Sequence, residues 1–181
     1  MHTGAEYALQ ACEHKYDNLK YDQYDCQAFA ELVLKDIGVR KPDGSVYNWK
    51  GSNSMWRNGV SWKGTKEECI AKFGCIPVGA WAFIHAYDGG EKARGYNDDL
   101  GNASHVAIVV NQNQVRDSTK GSRRDGVDYR SLKDFNMIGL VKVLDYNETI
   151  RNIIEIDRDE VEDLYTSLQN AIKIIGGWLS K

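Results

Sequence analysis

His105-Val106-Ala107-Ile108-Val109-Val110-Asn111-Gln112-Asn113-Gln114-Val115-Arg116-Asp117-Ser118 is a β-branched apolar run, a polar turn and a second alternating segment. That order predicts a β-hairpin. A hairpin joins antiparallel strands, so the fold is built on an antiparallel sheet rather than on parallel βαβ units. His105 opens the first strand instead of sitting inside it, and Asp117 follows 12 residues later. Side chains alternate along each strand, so the two can share one face of the sheet. On this register Asp117, and not Ser118, faces the imidazole, and only replacement of Asp117 should remove an activity that needs His105. The competing reading is structural: His105 ends a strand, and Asp117 closes a turn with Ser118 and Thr119.

Working outward, the apolar run of residues 76–84 fits a central strand, and residues 126–129 and 138–144 complete a small antiparallel sheet. Helical spacing appears over residues 5–14 and from Cys26 towards Gly38, where a glycine suits the left-handed turn after a helix. Thr65 followed by Glu67 and Glu68, with Gly74 beyond, marks another short helix over residues 65–73. The fold class is therefore α+β, with the early helices packed on the sheet. Two polar excursions interrupt it, at residues 40–64 and 86–103. The first carries Trp49, Trp56 and Trp62 among turn-forming residues. Those rings either line a groove for a polar ligand or pin the loop to the body, since aromatics serve both purposes. The main domain spans residues 1–146. Residues 147–181 read as a linker and an amphipathic helix, with Val161, Leu164, Leu168, Ala171, Ile172 and Ile175 spaced by three and four. That helix is available for self-association or attachment to another module.

Tyr24-Asp25-Cys26-Gln27-Ala28-Phe29 places a cysteine in the first turn of a helix. Asp25 is suited to be its N-cap. At that position the free backbone amides and the helix dipole favour a thiolate. Cys26, Phe29, Ala30, Val33 and Ile37 also form an apolar stripe, so a buried, inert thiol is the alternative. If the sulfur is a nucleophile, a neutral His105 could accept its proton and later protonate a leaving amine, with Asp117 fixing the imidazole's tautomer.

Composition narrows the function classes. The 181 residues are 42% hydrophobic and 27% charged, an ordinary globular balance, and the net charge is −3. An acidic pI near 5.8 argues against a general nucleic-acid binder, which draws its affinity from a basic face. The chain has no run of 18 apolar residues, so no transmembrane helix is predicted. Its start lacks the charged and apolar regions of a secretory signal, so residence in the cytoplasm until release is expected. The four cysteines are too irregular for a disulfide framework and lack the paired spacing of a zinc site. Reduced thiols, no metal and no cofactor are expected.

These motifs resemble those of the NlpC/P60 cell-wall cysteine peptidases. Asp25-Cys26-Gln27-Ala28-Phe29 is similar to that family's Asp-Cys-Ser-Gly-Phe, and His105-Val106-Ala107-Ile108-Val109 to His-Val-Gly-Ile-Tyr. Val78-Gly79-Ala80-Trp81-Ala82-Phe83 resembles Pro-Gly-Asp-Leu-Val-Phe, Gly126-Val127 a later Gly-Val, and Tyr21 a tyrosine upstream of the nucleophile. Asp117 occupies the place of the third polar residue, where His or Asn is commoner; Gln27-Ala28 replaces Ser-Gly, and the usual upstream Gly-Gly is absent. The resemblance implies a papain-like fold and a thiol peptidase that cuts stem peptides of bacterial peptidoglycan. Cys26 would be nucleophile, His105 base and Asp117 orienter, with Tyr21 as an oxyanion donor and Tyr24, Trp49, Trp56 and Trp62 as groove candidates. The compact length and added C-terminal helix resemble a phage or prophage endolysin. An amidase acting at the sugar–peptide junction, and an inactive wall-binding or phage structural module, are the alternatives.

Overall fold

The computed structural model describes residues 1–86 and 93–147. The expected C-terminal helix of residues 157–175 lies outside the described residues.

Among the described residues four α-helices and six strands follow one another as α1 (Gly4–Ala11), α2 (Cys26–Asp36), α3 (Ser52–Asn58), β1 (Val60–Thr65), α4 (Lys66–Phe73), β2 (Trp81–Ala86), β3 (Asn102–Val109), β4 (Gln114–Gly121), β5 (Arg124–Ser131) and β6 (Met137–Val141). The strands form a single antiparallel sheet in the order β1-β6-β2-β3-β4-β5. The α+β class is the expected one. The sheet is larger than the sequence suggested, because β1 pairs with β6 along the edge.

Local chemistry fixes the helix starts. Thr3 with Glu6, and Thr65 with Glu68, form capping boxes at α1 and α4, each pair satisfying two amides at a helix start. Asp25 caps α2, its carboxylate accepting from the Ala28 amide at 2.8 Å. After α2 the chain turns through Gly38 at φ 87°, the left-handed conformation that a side chain resists. The central strand begins later than its apolar run. Pro77 and Gly79 form a turn, with the Ala80 amide donating to the Pro77 carbonyl, and pairing starts at Trp81.

The excursion of residues 40–64 departs most from expectation. It folds into α3 and β1, and its tryptophans go inward. Trp56 is 1% exposed and packs edge-on against Phe83, while Trp49 stacks on Tyr47 and meets Trp81 edge-on. Trp62 is half-buried against Phe73. Burying rings of this size removes a large apolar area from water, and that gain outweighs presenting them to a ligand. Trp49 and Trp56 are therefore core residues and not groove walls.

The core joins helix α2 (Phe29, Ala30, Val33, Leu34) to the central strands (Trp81, Phe83, Val106, Ile108, Ile138). Tyr7 fastens α1 to both layers, donating from its hydroxyl to the Ala30 carbonyl and accepting from the Trp81 indole. Helix α2 therefore presents its N-terminus to β3 and β4 from a rigid seat.

Candidate active site

Cys26 is the first residue of α2, and its residue is 8% exposed. All four cysteines are free thiols. The position follows from Asp25: once its side chain closes on the Ala28 amide, the next residue must enter the first helical turn. The amide of Cys26 is then among the helix's unpaired donors.

His105 stands on β3 beside a β-bulge. Its partner on β2 is Ile84, whereas His85 pairs with Ala103, so Ser104 is the extra residue. A bulge re-aims the side chains next to it. The imidazole Nε2 lies 2.5 Å from Asp117 Oδ2, which leaves Nδ1 for the sulfur. His105 and Cys26 hydrogen-bond and interact electrostatically. Burial disfavours a charged ring, yet the hydrogen bonds with Asp117 and Cys26 and the negative charge of both outweigh it, and the imidazolium is pushed up to about 9. A ring placed between the sulfur and a buried carboxylate is positioned to exchange a proton with the sulfur.

Asp117 is fully buried on β4. The β3–β4 ladder pairs Ile108 with Arg116 and Val109 with Val115, so continuing it sets Asp117 diagonal to His105 on one face, as the hairpin reading required. A further residue arrives from β5. Arg130 Nη1 donates to the same Oδ2 at 3.0 Å, its other terminal nitrogen lies 3.5 Å from Asp134, and its guanidinium covers the Phe135 ring. Nothing in the sequence singled it out. Arg130 is one of several arginines in this segment, and its role depends on the β4–β5 register, where it opposes Val115 and so lies diagonal to Asp117.

The chain segment leading to Cys26 is fastened to the β4–β5 hairpin. Arg116, almost fully buried, pairs with Asp17 and donates to the Ala11 carbonyl. Ser118 Oγ donates to the Tyr24 carbonyl at 2.5 Å, Lys120 meets Asp22 at 2.7 Å, and the Val127 amide donates to the Leu19 carbonyl. Gly126, at φ +119°, has no room for a side chain: an added Cβ would lie 1.9 Å from the Leu19 oxygen. Alternation turns Arg116, Ser118 and Lys120 to this segment and leaves Asp117 for the histidine.

The structure thus brings Cys26, His105 and Asp117 together. Tyr21 lies five residues before the sulfur: burial, and then the charges of Cys26 and Asp25, push its phenol up, so the hydroxyl keeps its proton. Tyr24 contributes its carbonyl as an anchor and packs its half-buried ring against the core. Trp49, Trp56 and Trp62 belong to the packing described above. Comparison with protein-family models, curated proteins and solved structures returns no match. The site therefore rests on its own geometry. Among the described residues no group of three or more His, Cys, Asp or Glu side chains is placed to hold a metal ion. Two of the polar depressions among the described residues lie near the ends of β3 and β4 and are not lined by Cys26, His105 or Asp117. One of about 600 Å³ lies between Lys50, Asn53, Arg94, Tyr96 and Asn102 at the head of β3. The other, about 350 Å³, lies beside Arg130 and Thr119.

Proposed function

We propose that this chain is a cysteine peptidase of the NlpC/P60 type that hydrolyses a peptide bond in peptidoglycan stem peptides. The observation that carries the reaction class is the contact of Cys26, at a helix start, with an imidazole held from behind by buried Asp117. The substrate class is supported by the motif resemblance around Cys26, His105 and Val78–Phe83, and a papain-like arrangement of helix start and strand agrees with both.

In the proposed reaction the Cys26 sulfur attacks the scissile carbonyl carbon. The oxyanion is met by the Cys26 amide and by the Tyr21 hydroxyl. As the C–N bond breaks, His105 gives its proton to the departing amine nitrogen, leaving a thioester on Cys26. Water then attacks the thioester carbonyl while His105 takes one of its protons. Breakage of the C–S bond releases the carboxylic acid and returns the sulfur and the imidazolium to their starting state. Asp117 keeps the ring oriented through both halves and stabilises its charge.

Purified Gram-positive cell walls digested with wild type and with Cys26→Ala, followed by mass spectrometry of the released fragments, test this reading. Release of peptides by wild type alone is expected, and the new termini name the bond. Termini at the sugar–peptide junction would reassign the enzyme as an amidase using the same site. Wall binding without release by either protein would overturn catalysis in favour of a binding module.

A further inference from the structure

Asp117 is a fully buried carboxylate whose two oxygens are treated very differently. Oδ2 accepts from both His105 Nε2 at 2.5 Å and Arg130 Nη1 at 3.0 Å, whereas Oδ1 has no hydrogen-bond partner among the described residues. Two cationic donors therefore compete for one oxygen. A carboxylate serving only to orient a histidine needs a single donor. The second brings a permanent positive charge close to the imidazole's own partner.

The competition is built in and not incidental. The Arg130 side chain is only 17% exposed, and three contacts seat it. It bonds Asp117, approaches Asp134 from the following 3-10 turn, and lies over Phe135, whose ring also faces the His105 ring at 5.9 Å between centroids. The groups around the imidazole are then few. Helix α2 contributes Cys26, with which Tyr21 of the preceding segment interacts electrostatically, and β4 contributes Asp117. β5 contributes Arg130 and the exposed Asp128, which opposes Asp117 in the ladder and lies 3.7 Å from Arg124. Strand β2 offers only Ile84 opposite the histidine. Among these Arg130 is the cation facing the pair.

We propose that Arg130 is a positioning residue that shares Oδ2 of Asp117 with His105, and so weakens the carboxylate's hold on the imidazolium proton. The inference rests on the thiol-peptidase reading above and deepens it. Such an enzyme must form an imidazolium in one half-reaction and surrender its proton in the other. A buried Asp with no competing donor would hold that proton more tightly against its transfer to an amine.

The test is an NMR titration of the His105 Cε1 proton, assigned by its disappearance in His105→Gln. In Arg130→Gln the signal is expected to titrate about one pH unit higher than in wild type, since a nearby charge shifts a buried group by that order. Arg130→Lys, which keeps the charge, is expected to titrate with wild type. Should the Gln variant fail to fold, Arg130→Met keeps the apolar contact with Phe135 and serves as the neutral variant. The alkaline limb of kcat/KM on cell-wall fragments moves with the signal. A neutral variant titrating at the wild-type pH or below it overturns the proposal. The titration needs no substrate, so the outcomes separate. A shifted signal with intact walls sinks the peptidase reading and keeps Arg130's role, whereas cleaved walls with an unshifted signal do the reverse.

Discussion

At the scale of single residues, the imidazole of His105 ties the proposed catalysis to stability. Its proton is held up to about 9 in the folded chain against an ordinary 6.5. A raised value contributes stability that is fully present below the unfolded value and is lost as pH climbs through the folded one. Wild type is therefore expected to lose part of its resistance to denaturant between about pH 6.5 and 9, and His105→Gln to be nearly flat across that window. Urea midpoints measured at intervals over the range check this. Cys26, His105 and Asp117 were legible in the sequence because each stands at a place that local rules specify: after an N-cap, at the mouth of an apolar strand, and at matching parity across a hairpin. Arg130 was not. Its meaning depends on which residue of β4 it lies diagonal to, and no local pattern encodes that register.

Among elements, the hairpin of β4 and β5 both orients His105 and fastens the segment leading to Cys26. Alternation along β4 puts Ser118 on the face away from His105, and on that register its replacement spares an activity that needs His105. It does point away, but its buried hydroxyl holds the Tyr24 carbonyl two residues before Cys26. Ser118→Ala leaves that half-buried carbonyl without its partner, at a cost of about 1 kcal/mol. It is expected to lower turnover about tenfold by loosening the seat of the sulfur, since small misplacements of reacting groups are costly. Equal turnover in Ser118→Ala and wild type would show that the other anchors suffice. Elements with strong signals were legible, including the capping box of α4, the β-branched run of β3 and the glycine after α2. Helix α3 and strand β1 were hidden. α3 spans 7 residues, opens on Ser-Asn-Ser and has no side-chain cap; β1 contains Lys63 and Gly64. Tertiary packing, not propensity, makes them regular.

For the whole molecule, the tryptophans decide between two uses of aromatic surface, and packing wins. Trp56→Ala is expected to destabilise the chain by about 3–5 kcal/mol, as truncation of a large core ring does, with wall affinity changed only through loss of folded protein. Thermal denaturation measured beside a wall-binding assay on the folded fraction separates the two effects. Among the described residues no helix is long and apolar enough to cross a membrane. The α+β class and the helix-against-sheet layering were legible at this scale because periodicity changes sharply between residues 26–37 and 105–118. The inward turn of residues 40–64 was not, because a ring flanked by turn formers carries no sign of which way it faces.

The described body also begins and ends at one place. The Gly4 amide donates to the Asp145 carbonyl and the Asp145 amide to the His2 carbonyl, both at 2.9 Å, in a short parallel bridge beside β6. Everything from helix α1 to strand β6 is thus a nearly closed loop of chain whose two ends leave side by side. Tension applied across those ends would load those two backbone hydrogen bonds together with the buried hydroxyl of Tyr146, which donates to the Gly79 carbonyl. It would reach the sulfur and the imidazole only after that clasp had opened.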